Sequence, residues 1–212
     1  MKKTALLTLL AIFIHQVLFS QTWYKKYDIG NYAIANSIIE QYDKGYLFGG
    51  SIDHSKYAKI YKTDVNGNLQ WSKSFGNEQY QMVVRDIDKT IDGGCIICLD
   101  GTKYNSVDAY IIKLNSCTEI EWCKVLLTQD NYDLSWKIKQ TPEGDFILLG
   151  AYFVTNPESN LSLFKFNASG ELIWQQFYPF EYYYNEDEPI DLLMDYYGYL
   201  ISSTRYAPDT GT

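Results

Sequence analysis

Few residues of this 212-residue chain have the chemistry for covalent catalysis, and they are scattered. Histidine occurs only at His15 and His54. His15 lies in an apolar N-terminal run, so a Ser-His-Asp or Cys-His nucleophile pair would rest on His54 alone. His54 stands in the polar stretch Ser51-Ile-Asp-His-Ser-Lys56, which reads as a solvated loop. A histidine-rich metal site is excluded for the same reason. Carboxylates cluster at Glu186, Asp187 and Glu188, with Asp191 following. Two such acids could serve glycoside hydrolysis, and oxygen ligands are all that calcium needs, which makes Glu186, Asp187 and Glu188 calcium candidates. A solvated acidic loop has the same composition. No catalytic residue and no cofactor is assigned.

Cys95-x-x-Cys98 has the spacing of half a zinc or redox motif. The apolar stretch around it reads as a strand, whose alternation sends the two thiols to opposite faces, so they would not share a metal. Cys117 and Cys123 complete the set, and four thiols allow three pairings. Antiparallel pairing puts the start of one strand beside the end of the next, so Cys95–Cys117 is the bridge that geometry favours.

A recurrent tyrosine offers binding rather than catalysis. Tyr32, Tyr80, Tyr132 and Tyr184 stand 48, 52 and 52 residues apart among polar neighbours such as Asn131. Gathered on one face, such rings could stack on sugars or anchor a peptide at little entropic cost. Tyrosines wedged between repeats would show the same spacing.

The elements that must position these residues are repeated. Lys62-Thr-Asp-Val-Asn-Gly-Asn-Leu-Gln-Trp71, Lys113-Leu-Asn-Ser-Cys-Thr-Glu-Ile-Glu-Trp122 and Lys165-Phe-Asn-Ala-Ser-Gly-Glu-Leu-Ile-Trp174 align without a gap. A second column aligns Gln41–Gly50, Thr90–Leu99 and Thr141–Gly150, with Met194–Ser203 as a looser copy. Two columns at one period of about fifty residues mark a repeat architecture. The first unit predicts strands at Ser37–Gln41, Tyr46–Ser51, Tyr57–Thr63 and Leu69–Phe75. Asp43-Lys44-Gly45 and Asn66-Gly67 supply the residues that tolerate positive φ in tight turns. Four antiparallel strands per unit at this period predict an all-β, β-propeller-like array of about 3.5 blades, with units near 34–76, 81–127, 133–178 and 187–212.

Composition agrees. The chain carries 20 Tyr, 10 Phe and 5 Trp, residue types that suit half-buried strands. Lys2 and Lys3 precede the apolar run Ala5–Phe19, which predicts a signal peptide over 1–20 and a mature domain over 21–212. The run is shorter than a spanning helix needs, so no membrane insertion is expected after cleavage. The net charge of −8 argues against nucleic acid as a partner, because an acidic surface repels phosphate.

At these columns the sequence resembles the tandem propeller repeats of secreted and surface proteins of flavobacterium-like bacteria, and is weakly similar to quinoprotein-like propellers. The second resemblance implies that Trp71, Trp122 and Trp174 lock adjacent blades together; Gly67 and Gly170 are read separately as structural turn residues. The expectation is a secreted or cell-surface scaffold, non-catalytic, that binds a glycan or a protein through one propeller face. The alternatives are a glycan-active hydrolase or lyase with acids near 186–191, and a fragment without independent function. The last unit stops after its second strand, which predicts an open, incomplete arc prone to self-association.

Overall fold

The computed structural model describes residues 24–27, 32–76, 79–103, 106–126, 133–153, 159–178, 189–195 and 198–203. The predicted signal peptide and Asn131, Tyr132, Tyr184, Glu186, Asp187 and Glu188 lie outside the described residues. Fourteen strands and no helix occur among those described.

The first sheet runs β1 (Ala33–Glu40), β2 (Tyr46–Ile52), β3 (Tyr57–Thr63) and β4 (Leu69–Phe75). The second holds β5 (Gln81–Lys89), β6 (Cys95–Lys103), β7 (Ser106–Leu114) and β8 (Ile120–Leu126). The third holds β9 (Asp133–Gln140), β10 (Phe146–Phe153), β11 (Ser159–Phe166) and β12 (Leu172–Tyr178), and β13 (Pro189–Asp195) pairs β14 (Gly198–Ser203) in a fourth. Each sheet is an antiparallel meander in sequence order. The sheets pack face to face, with β5 against β1, β2 and β3, and β9 against β5, β6 and β7. This is a propeller-like arrangement of blades in which β1, β5, β9 and β13 lie innermost, and among the described residues it does not close into a ring. Leu193 and Leu200 on the last sheet are 61% and 68% exposed.

Alternation along the second strands builds the cores between blades. In β6, Cys95, Ile97 and Leu99 face the first blade, in a cluster with Leu47, Ala58 and Ile60. Ile96 and Cys98 face the third blade, beside Ile138, Phe146 and Phe164. Burial on both sides is why these strands read as continuous apolar runs rather than strict alternation.

All four cysteines are free thiols, which corrects the predicted Cys95–Cys117 bridge. Cys95 pairs in register with Leu114 and points into the core, whereas Cys117 stands three residues further on in an exposed turn. The adjacency of strand ends was right, but the thiols face different surroundings.

Two repeated devices explain the conserved spacing within the chain. The first residue of each long motif is a lysine whose ammonium closes the hairpin between strands one and two. Lys62 Nζ reaches both oxygens of Asp43, at 2.8 and 2.7 Å, and the Thr63 carbonyl. Lys113 Nζ meets Asp92, the Leu114 carbonyl and Glu121 in the same way, with only 4% of its side chain exposed. Lys165 instead meets Asp145 at 3.0 Å. Asp145 occupies the column of Gly45 and Gly94. A Cβ on Gly45 would stand 2.1 Å from the Thr63 carbonyl and 2.5 Å from Lys62 Nζ, so these glycines are kept by space. The positive φ of this turn falls one residue earlier, on Lys44 at 65°.

The second device is the turn after strand three. Asp64, Asn115 and Asn167 each accept backbone N–H groups within the turn, Asn68 N at 2.8 Å, Glu119 N at 2.9 Å and Glu171 N at 2.8 Å. An Asx side chain two residues after the lysine therefore fixes the loop locally.

Candidate functional site at the inner-strand bulges

The first strand of every blade carries a bulge near its start. Pairing skips Asn36 in β1, Arg85 in β5, Trp136 in β9 and Ile190 in β13. A bulge adds one residue and re-aims the side chains around it. In β1 it separates the observed start at Ala33 from the Ser37–Gln41 strand that the repeat unit predicted.

Around these bulges the inner strands are joined by polar contacts. The Asp86 carboxylate accepts the Ser37 hydroxyl at 2.8 Å from the first blade and the Ile138 amide at 3.2 Å from the third. Lys137 and Lys139 approach it at 3.7 and 3.8 Å. One buried acid thus holds three consecutive blades. Asn36 donates to the Val84 carbonyl at 2.7 Å, and the Ile87 amide donates to Ser37 Oγ at 3.2 Å.

Asp100, 3% exposed on β6, accepts both the amide and the hydroxyl of Ser135 at 2.8 Å. Its other oxygen takes Arg85 Nε at 2.6 Å. Burial pushes its carboxyl above the usual range even though Arg85 and Ser135 favour the charged form. Asp88 is raised by burial in the same manner, opposed by Lys139 and by the Gln140 amide, which donates to it at 3.1 Å.

What remains for a ligand is the outer part of this network. Arg85 uses Nε on Asp100, its side chain is 37% exposed, and a guanidinium carries further N–H donors. Its Cζ stands 5.7 Å from the centre of the Trp136 ring, which is itself half-buried against the core of the third blade. Neighbouring bulges therefore present a fixed cation and an aromatic face, backed by Lys137 and Lys139.

Of the predicted tyrosines, Tyr32 and Tyr80 fall among the described residues. Tyr32 is exposed and stacks on His54, with ring centres 5.2 Å apart and planes 13° apart. His54 sits in the β2–β3 loop with Asp53 and Ser55, all three at positive φ. Tyr80 packs against the core between blades one and two, and Lys103 Nζ lies 5.0 Å above its ring. These two tyrosines serve different local structures, one in a loop stack and the other in a blade seam. Among the described residues no group of three His, Cys, Asp or Glu side chains is placed to hold a metal ion.

The repeat tryptophans lie at blade seams. Trp122 donates its indole N–H to the Ala168 carbonyl at 3.0 Å and meets Phe146 edge-on at 5.6 Å. Gly170 has φ +77°, and a Cβ there would stand 2.8 Å from the indole. Trp71 packs against the core of the preceding seam, and Trp174 packs against the following one, with Tyr199 at 6.3 Å. Lys73, two residues after Trp71, adds to the seam by donating from Nζ to the Thr118 carbonyl at 2.8 Å. Lys25 repeats this against Asn68 at 3.0 Å, and the Tyr27 hydroxyl donates to the Gly67 carbonyl at 2.6 Å.

Arg85, Asp86, Asp100 and Trp136 were not found from the sequence. The signal available was positional: Asn36-Ser37, Arg85-Asp86 and Trp136-Lys137 fall 49 and 51 residues apart and interrupt otherwise apolar strands.

No family model matches the chain, and no curated protein matches it. Among solved structures it is similar to a protein of unknown function from Bacteroides caccae, at 15% identity and a TM-score of 0.53 over 85% of this chain. The chain spans 56% of that protein's length. A eukaryotic initiation factor follows at 11% identity, with a TM-score of 0.48 over 76% of this chain and 36% of that one. A Synechocystis apocarotenoid oxygenase has 12% identity and a TM-score of 0.41, over 74% of this chain and 40% of that one. The Bacteroides likeness concerns the fold alone.

Proposed function

We propose that this protein is a non-catalytic, exported propeller-like scaffold that binds an acidic glycan at the inner-strand bulges. One observation carries the reading: Arg85 and Trp136, on adjacent inner strands, place a guanidinium 5.7 Å from an indole face. A carboxylate on a sugar matches the fork of an arginine, and the Trp136 ring facing the Arg85 guanidinium holds that fork in place. Asp100 fixes that arginine from beneath, which limits the entropy lost on binding. Lys137 and Lys139 are paired with Asp86 and Asp88, and Arg85 with Asp100, so the preference for an anion rests on the guanidinium N–H groups that Asp100 leaves open.

A glycan array probed with the full chain tests the reading. Binding of uronate-containing glycans that is lost in both Arg85→Ala and Trp136→Ala supports it. Retained binding in both variants, or capture of protein ligands alone, overturns it. Glycan cleavage would assign the protein to the hydrolase or lyase class.

A further inference from the structure

The seams between blades are built from equivalent columns, which allows one to be compared with the next. In the seam between the second and third blades, Trp122 faces Phe146, and Phe164 and Phe166 complete the wall. In the seam between the first and second blades, Trp71 takes the place of Trp122. Cys95, Ile112 and Leu114 stand in the columns of Phe146, Phe164 and Phe166. Three phenyl rings are thus replaced by a small thiol side chain and two aliphatic ones. The turn differs as well, because Thr118, at φ +69°, holds the position of Gly170, on which Trp122 is seated.

A cleft opens beside this wall. It measures about 280 Å³ and is lined by Leu47, Trp71, Cys95 and Leu114, with Gln41 and Asn115 at polar positions. This lies between the roughly 150 Å³ of a cavity that takes benzene and the roughly 300 Å³ at which small-molecule sites begin. Asp43 and Lys62, which also line it, neutralise one another at 2.7 Å.

We infer that this cleft is a binding site for a small, uncharged aromatic molecule, whose single ring stands where the Phe146 ring stands in the next seam. The ring meets the Trp71 indole edge and rests on Leu47, Leu114 and the Cys95 sulfur. An amide or hydroxyl on the ligand reaches the side-chain amides of Gln41 and Asn115. The site lies in the blade seam rather than among the inner-strand bulges, and it does not depend on the glycan reading.

Benzamide titrated into the full chain, followed by the Trp71 indole N–H resonance, tests the inference. Trp71→Phe identifies that resonance. A saturable shift of Trp71 is expected, weakened at least tenfold in Cys95→Phe and in Leu114→Phe, which fill the cleft from two walls as the next seam does. Cys123→Ser, outside the cleft, should bind within threefold of the parent. No saturable shift at Trp71, a shift of the Trp122 resonance in its place, or undiminished binding in whichever filled variant folds would overturn it.

Discussion

Trp122 and Ala168 lie 46 positions apart and are joined by a 3.0 Å hydrogen bond from the indole N–H to the backbone carbonyl. The bond crosses from the fourth strand of one blade to the turn of the next. Local turn chemistry, repeated down the chain, thereby becomes contact between blades.

Removing that bond separates its two contributions. Trp122→Phe keeps most of the apolar contact and should cost about 1 kcal/mol. Trp122→Ala also leaves Phe146 and Gly170 uncovered, and should cost about 3 kcal/mol. Urea midpoints of the two variants measure the difference, and equal midpoints would remove the hydrogen bond from the account.

Turn residues at the same column should respond in opposite directions. Gly170→Ala places a methyl 2.8 Å from the Trp122 ring at a φ of +77°, and should destabilise by more than about 1 kcal/mol. Thr118→Gly relieves a side chain held at φ +69°, and should stabilise by about 0.5–1 kcal/mol. Thermal unfolding of both variants decides the matter.

The lysine-closed hairpins predict an acid limb of stability. The Lys62 hydrogen bond first, with the Gly45 amide, holds the Asp43 carboxyl below its ordinary value. Burial pushes Asp92 upward, but Lys113, Thr90 and the Gly94 amide outweigh it and the net shift is downward. Carboxyls lowered by folding stabilise the protein above the unfolded value of about 3.9, and that contribution is lost as pH falls through the folded value. Asp88 and Asp100, raised by burial, act with the opposite sign: their cost at neutral pH is relieved as they protonate. Asp43→Asn with Asp92→Asn should flatten the fall in stability below pH 4, whereas Asp88→Asn should leave that fall in place. Urea titrations at several pH values provide the check, and unchanged slopes in the double variant would contradict the assignment.

Thiol labelling separates the four cysteines. Burial pushes the Cys95 thiol up to about 12 and raises Cys98 well above the ordinary thiol value. Cys117 is exposed in its turn, and Cys123 is exposed on β8 with its thiol raised by partial burial. A disulfide-exchange reagent at pH 8 should therefore label Cys117 first, Cys123 more slowly, and Cys95 and Cys98 only after denaturant is added. Labelling of all four in the folded protein would contradict the packing of β6.

Asp86 should be among the most sensitive polar positions. Asp86→Ala leaves the Ser37 hydroxyl and the Ile138 amide without their acceptor between blades. A cost of about 3 kcal/mol is expected from two buried donors losing a charged partner. Equilibrium unfolding measures it, and a loss below 1 kcal/mol would show that water reaches the stranded Ser37 and Ile138 donors.

The sequence by itself determined the repeat and the strands within it. Period, turn residues and apolar runs are local properties, so β3 and β4 fall where the first motif places them, at Tyr57–Thr63 and Leu69–Phe75. The free thiols, the lysine-to-carboxylate closures and the bulges needed the tertiary structure. Lys62 meets Asp43 only when strand three folds back beside the first hairpin, and Arg85 meets Trp136 only when two blades stack. The cleft beside Trp71 is more remote still from any local pattern. Cys95 looks like half of a metal motif when read along the chain. Packed against Trp71, where the next blade sets Phe146 against Trp122, it leaves room for a ring, because volume in a seam is set jointly by side chains from two separate sheets.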